Sequence, residues 1–203
     1  MPKYFENIAS IDDFTLNRHT PIDIPCIHCL KVNQLKSHGF IFKQRSSDVA
    51  EKIGKRIICS NRYGGKGCGQ TMALYVKQEF PGFCYNSAHV FVFLATLLVG
   101  ASVQKAYQKA TGTDDPSNAW RWLNKLERRF TEYRHFLKHP AAEVDAQFTP
   151  RVARLQILLP IIKRLFFSLG ATPCADYQMR TQLNFIWLFF FEYSPVFSSK
   201  WPD

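Results

Sequence analysis

The sequence predicts a mainly α-helical protein that carries a small β zinc ribbon near its start. Three observations point there. Two cysteine pairs stand at 26/29 and 59/68. The stretches "GFIFKQ" and "KRIIC" between them alternate like short strands. From residue 83 onward, apolar residues recur at steps of three and four. Hydrophobic residues make up 46 % of the 203 and aromatics 15 %, which is enough for a core rather than a disordered chain. The pattern divides into an N-terminal extension (1–20), a four-cysteine zinc ribbon (21–82), a helix-turn-helix segment (83–140) and a C-terminal pair of helices (141–203).

The extension, "MPKYFENIASIDDF", bears acidic residues early and has no apolar run, unlike a signal peptide. The most apolar stretches, residues 89–101 and 183–191, fall short of the ~20 residues a transmembrane helix needs, so both are expected in a core. The chain is therefore expected off the membrane, in the cytoplasm and associated with the nucleoid. Thiols stay reduced there, and clustered cysteines hold metal more often than they form disulfides. The net charge of +10 is an argument about partners, favouring a polyanion such as nucleic acid.

In "PCIHCL" the two-residue spacer lets Cys26 and Cys29 face one ion while backbone N–H groups bond to the sulfurs. Cys59 and Cys68 are spaced more widely, and their insert "SNRYGGKG" carries three glycines that ease a tight loop. Four thiolates around one Zn2+ form a closed structural site, with Zn–S near ~2.3 Å and no open position for water. A ribbon this small has little core, so the metal is expected to supply much of its folding free energy. A redox role for the CxxC lacks the surrounding βαβ pattern. His28 and His38 are expected at the surface.

"FPGF" marks the boundary before the helical segment. Asn86 or Ser87 is placed to cap a helix that stops at Gly100, and Ser102 a short helix ending at Gly112. Asp115 or Ser117 is placed to cap a third helix that opens with Pro116. On that third helix Trp120, Leu123, Leu126 or Glu127, Phe130, Tyr133 and Leu137 form the expected core stripe. The opposite face presents Asn118, Arg121, Trp122, Lys125, Arg128 and Arg129. This order matches a helix-turn-helix, whose last helix enters the major groove of duplex DNA. Asn118 and Arg121 suit bidentate contacts to purine edges, and Lys125, Arg128 and Arg129 suit phosphates. Trp122, exposed beside Arg121, is expected at an interface with DNA or with the C-terminal helices.

Together, "CIHC", "ICSNRYGGKGCGQTMALYVKQEFPG" and, after an apolar helix, "SVQKAYQKATG" and "NAWRWLNKL" carry a family resemblance. They resemble the zinc-ribbon plus helix-turn-helix DNA-binding proteins of bacterial insertion sequences and transposons. The resemblance covers residues 26–129, about half the chain. It implies zinc ligation by Cys26, Cys29, Cys59 and Cys68, and DNA contacts on the helix from Ser117.

Beyond it, a helix is expected from residue 150 to Gly170, kinked at Pro160. A last helix over residues 176–193 is apolar on nearly every face and is expected to be buried in this chain or in a homodimer or partner interface. The carboxylates after the helix-turn-helix (Glu132, Glu143, Asp145, Asp176, Glu192 and Asp203) sit in helical context. They lack the mixed sheet that a three-carboxylate transposase of the RNase H type requires. Walker, GxSxG and HExxH motifs are absent from the sequence. Cys84 has no evident base and is expected as a buried structural thiol.

The sequence thus predicts a non-catalytic, duplex-DNA-binding protein of a mobile genetic element. It takes one structural Zn2+, with Arg62 and Lys66 of the second cysteine loop near phosphates. Two alternatives stand beside it. One is an adaptor docking on a recombinase, a transposase or another nucleoprotein complex. The other is an RNA-binding module that stacks bases on Trp122 and Tyr63.

Overall fold

The N-terminal part is a four-stranded sheet assembled around the cysteines, and the rest is helical. A computed structural model describes residues 3–15, 24–44, 49–138 and 151–186. The sheet contains β1 (Lys3–Phe5), β2 (Leu35–Lys43), β3 (Glu51–Cys59) and β4 (Thr71–Val76), in the order β1-β4-β3-β2. β2–β3 and β3–β4 are antiparallel, whereas β1 runs parallel to β4. The "KRIIC" stretch is the C-terminal end of β3 and "GFIFK" that of β2, Gln44 falling just beyond it; each strand is nine residues long. Within the expected extension, residues 3–15 are part of the fold. β1 completes an edge of the sheet, and α1 (Ile8–Thr15) packs the fully buried Ile11 on it beside Leu35, Ile57, Met72 and Leu74. Lys55 of β3 reaches across to Asp12 at 3.2 Å and to the Thr15 hydroxyl, pinning α1 down.

The helices are α2 (Ser87–Leu98), α3 (Val103–Thr111), α4 (Pro116–Arg128), α5 (Phe130–Phe136), α6 (Arg151–Leu169) and α7 (Pro173–Thr181). Their caps follow local chemistry. Asn86 accepts from the Ala88 and His89 amides, Ser102 from Lys105, and Asp115 from Ser117 and Asn118. Gly112 closes α3 in the left-handed region at φ 74°, where a side chain would be strained. One core joins Val90, Phe93, Leu94 and Leu97 of α2, Tyr107 of α3, the inner face of α4, and Ile161, Ile162 and Leu165 of α6.

Three expectations are corrected here. The long third helix breaks at Arg129 into α4 and α5. Its core stripe runs through Ala119, Trp122, Leu123 and Leu126, while Trp120 is only half-buried. The last helix starts at Pro173 and stops where Gln182 turns left-handed at φ 56°. The remainder of its expected span, beyond Ile186, lies outside the described residues. α6 continues through Pro160 to Leu169. Among the described residues no single helix is long and apolar enough to cross a membrane. α6 and α7 pass such a test only as a pair bent by 79°.

Sheet and helices are stitched together by polar groups. The fully buried Gln178 of α7 donates to the Lys77 and Glu79 carbonyls, and its side-chain oxygen accepts from the Phe185 amide. Lys77 bridges to Asp176 at 3.1 Å and Lys43 to Glu79 at 2.9 Å. Gln182 makes both backbone bonds of Tyr4 in β1.

Candidate metal centre and basic helix face

Two hairpin-like loops at one end of the sheet bring the cysteines together. The first, before β2, closes with the Leu30 amide donating to the Cys26 carbonyl and the Cys26 amide to the Lys31 carbonyl. Leu30 sits in the left-handed region at φ 60° to make that turn. The second loop runs from the end of β3 to the start of β4. Its Gly69 amide bonds to the Cys59 carbonyl and its Gly67 amide to the Ser60 carbonyl. A Cβ at Gly67 would lie 2.5 Å from the Ser60 oxygen, so only glycine lets the loop fold back this tightly. Lys31 and Gln34 lock the loops to each other through the Lys66 carbonyl (2.7 Å) and amide (2.9 Å). Those two side chains carry no recognisable motif, and sequence reasoning missed them.

The result is four sulfurs all within 4.8 Å of one another. Cys26 and Cys68 are 3.7 Å apart and Cys29 and Cys59 3.6 Å. A disulfide would bring sulfurs to ~2.05 Å. Four thiolates at ~2.3 Å from one central ion lie ~3.8 Å apart along the tetrahedron's edges. The arrangement therefore fits a tetrahedrally held metal ion. Amides of His28 and Cys68 point at the Cys26 and Cys59 sulfurs, at 3.4 and 3.3 Å, and favour negative charge there. Burial pushes the Cys26 thiol up, but the His28 and Cys29 amides and the neighbouring thiols bring it down to about 7. Burial pushes Cys59 up to about 12, and burial also raises Cys68. Without a cation the cluster resists full ionisation, so metal binding must displace protons. His28 and His38 are exposed, as expected. Cys84 is exposed rather than buried, and the buried thiol outside the cluster is Cys174.

The second feature is the outer face of α4. Asn118, Arg121, Lys125 and Arg128 follow at steps of three and four and share one face. Asp115 accepts from the Asn118 side-chain amide at 2.7 Å, and the Asn118 oxygen accepts from Arg121 at 3.2 Å, so the guanidinium is held from the helix start. Lys125 lies 5.0 Å from the centre of the Phe83 ring. Partial burial lowers its pKa, and the positive charges of Arg121 and Arg128 lower it further. Such mutual repulsion is relieved by an anion.

Two residues expected on this face are not there. Trp122 is 3 % exposed, packed among Phe83, Tyr85, Phe93 and Tyr107. Arg129 is also 3 % exposed, at the α4–α5 break, with Nη2 3.5 Å from the Tyr177 hydroxyl. Neither is available to an external phosphate. The cost of an exposed indole pointed to an interface with DNA or the C-terminal helices, whereas aromatics of the preceding linker, α2 and α3 cover Trp122; nothing local hinted at the burial of Arg129. Arg62 and Lys66 are exposed on the second cysteine loop. No protein family, characterised protein or solved structure matches the chain.

Proposed function

We propose that the chain is a non-catalytic duplex-DNA-binding protein, with α4 as the reading element and Zn2+ as the structural ion of the four-cysteine cluster. The observation that carries this reading is the α4 face itself: three cations and an amide at helical spacing, with the charge of Lys125 disfavoured by partial burial and by the neighbouring Arg121 and Arg128. Asn118 and Arg121, near the helix start, have the chemistry for purine edges, and Lys125 and Arg128 that for phosphates. The order of α2, a short α3, a glycine-capped turn and α4 supports a helix-turn-helix arrangement. Zinc is the metal that four thiolates at tetrahedral spacing suit best, and with every position filled by sulfur its role is structural. The mobile-element setting rests on the resemblance of the cysteine loops and the helices that follow them.

The test is duplex binding over a salt series. The affinity falls as salt rises, and Lys125→Ala or Arg128→Ala each lowers the log–log salt slope by about 1. Arg121→Ala weakens preferred sequences more than random duplex. Absence of duplex binding at low salt refutes the reading. Metal analysis of the purified chain checks the ion, with about one Zn2+ per chain expected and less in Cys26→Ser. The adaptor alternative is favoured by one observation, the solvent-facing pair Phe40 and Phe42 on β2 (41 % and 59 % exposed). Pull-down of a recombinase or transposase that is lost on Phe42→Ser, together with absent duplex binding, would establish it instead.

A further inference from the structure

The second cysteine loop has features that a purely structural zinc clamp does not need. Tyr63 is 98 % exposed, more than any other large apolar side chain among the described residues. Its backbone is held in the left-handed region at φ 53°, an uncommon state for an aromatic residue, by a loop that closes tightly beneath it. The Gly65 amide bonds to the Arg62 carbonyl at 3.0 Å and the Gly67 amide to the Ser60 carbonyl at 2.9 Å. Cys59 and Cys68 anchor both ends. The ring is thus presented on a preorganised base instead of on a mobile tip. Arg62 precedes it and Lys66 follows it, both exposed, with Lys31 tied to the Lys66 carbonyl. Neither residues 24–34 nor residues 60–70 contain an Asp or Glu. An outward aromatic face between cations, with no carboxylate nearby, matches an anionic partner that also offers flat apolar rings.

We propose that this loop binds unpaired nucleotides of DNA, with the Tyr63 ring as the stacking platform and Arg62 and Lys66 on the flanking phosphates. Stacking needs a base out of its duplex, so the substrate class is duplex DNA with an adjoining single-stranded segment. The proposal rests on the DNA-binding reading of α4 for the duplex portion only. A stacking aromatic is sequence-tolerant because every base has a π-face. The loop would therefore add affinity without adding sequence preference.

The test uses the full, zinc-loaded chain with four probes: a blunt random-sequence duplex, the same duplex with a single-stranded extension, a single DNA strand, and an RNA strand of the same sequence. The extension is expected to tighten binding relative to the blunt duplex. Tyr63→Ala abolishes that increment and weakens single-strand binding between about 5-fold and 100-fold, leaving the blunt duplex unchanged. Tyr63→Phe preserves the increment and Tyr63→Leu does not, because stacking needs an aromatic face rather than bulk. The side chain is solvent-exposed, so these variants keep the fold.

The proposal is overturned if the extension adds nothing, if Tyr63→Ala binds extended duplex as wild type does, or if Leu serves as well as Phe. A preference for the RNA strand over the DNA strand also overturns it. Indifference of all four probes to Tyr63→Ala overturns it and leaves a protein partner as the reader of the loop. Failure of the α4 reading looks different: the blunt duplex does not bind, while single-strand binding stays dependent on Tyr63.

Discussion

Four aromatic rings, those of Phe83, Tyr85, Phe93 and Tyr107, lie 5.1 to 5.4 Å from the ring of Trp122. Edge-to-face and tilted contacts of this kind add to the free energy of burying a large apolar surface. They rotate α4 so that Asn118, Arg121, Lys125 and Arg128 face out together. Trp122→Ala is expected to destabilise the fold by about 3–5 kcal/mol, read from chemical denaturation, with duplex binding lost in parallel as folded protein is lost. Arg121→Ala, by contrast, is expected to leave stability unchanged and to lower affinity, since its side chain is exposed. A second single-residue effect lies in the sheet. Partial burial pushes the Asp12 carboxyl up, but the hydrogen bond from Lys55 and the charges of Lys52 and Lys55 hold it below the ordinary carboxylate value. Its folded pKa is therefore lower than its unfolded one. The stabilisation is complete at neutral pH and is lost as pH falls below about 4, through the folded pKa. Asp12→Asn should flatten the loss of stability between pH 5 and pH 3 relative to wild type, as followed by urea denaturation.

At the scale of elements, what the sequence made legible was what local chemistry decides. Asn86, Ser102, Asp115 and Gly112 end helices through bonds to amides a few residues away, and those ends fall where expected. The four cysteines were legible because metal spacing is itself a local constraint. What was not legible depends on distant partners. β1 is three residues long and is a strand only because β4 offers its edge. The core face of α4 was chosen by aromatics from the linker before α2 and from α2 and α3, not by the helix's own periodicity, which accommodates Trp120 or Trp122. The burial of Arg129 follows from the break between α4 and α5 and from Tyr177, forty-eight residues onward. The second cysteine loop shows the local case at its most exacting. A Cβ at Gly67 would meet the Cys59 carbonyl carbon and oxygen at 2.7 Å as well as the Ser60 oxygen at 2.5 Å. These are backbone atoms that cannot swing aside. Gly67→Ala is expected to displace Cys68 from Cys59 and weaken metal binding at the cluster, with Zn2+ as the probe, by at least about tenfold, a shift of ~1.4 kcal/mol, in competition with a chromophoric chelator. Equal affinity in the variant would mean that the loop is looser than its contacts imply.

Across the whole molecule, the cysteine loops and the helical core meet different ends of β2. Leu35, at one end of that strand, pairs with Cys59, and Lys43, at the other, bonds to the Tyr85 carbonyl beside the α4 core. Nine residues of strand span roughly 27–30 Å. Holding the cysteine loops and the helical core in fixed relation requires the sheet and the helices to behave as one body, and among the described residues polar contacts contribute to this. Gln178 is central among them: its side chain satisfies the Lys77 and Glu79 carbonyls and the Phe185 amide inside a fully buried position. Leucine fills a similar volume but leaves those three backbone groups without partners away from water. Gln178→Leu is therefore expected to cost about 3 kcal/mol. Its more telling effect is on cooperativity. In the wild-type chain, metal release and loss of tryptophan fluorescence should follow the same denaturation curve, because sheet and helical core unfold together. In Gln178→Leu the two curves should separate, the helical core melting at lower denaturant while the sheet with its four-cysteine cluster persists. Coincident curves in the variant would show that the remaining ties, the Lys77–Asp176 and Lys43–Glu79 bridges and the Gln182–Tyr4 bonds, suffice to couple the halves, and Gln178 would then be a local contact rather than the joint of the molecule.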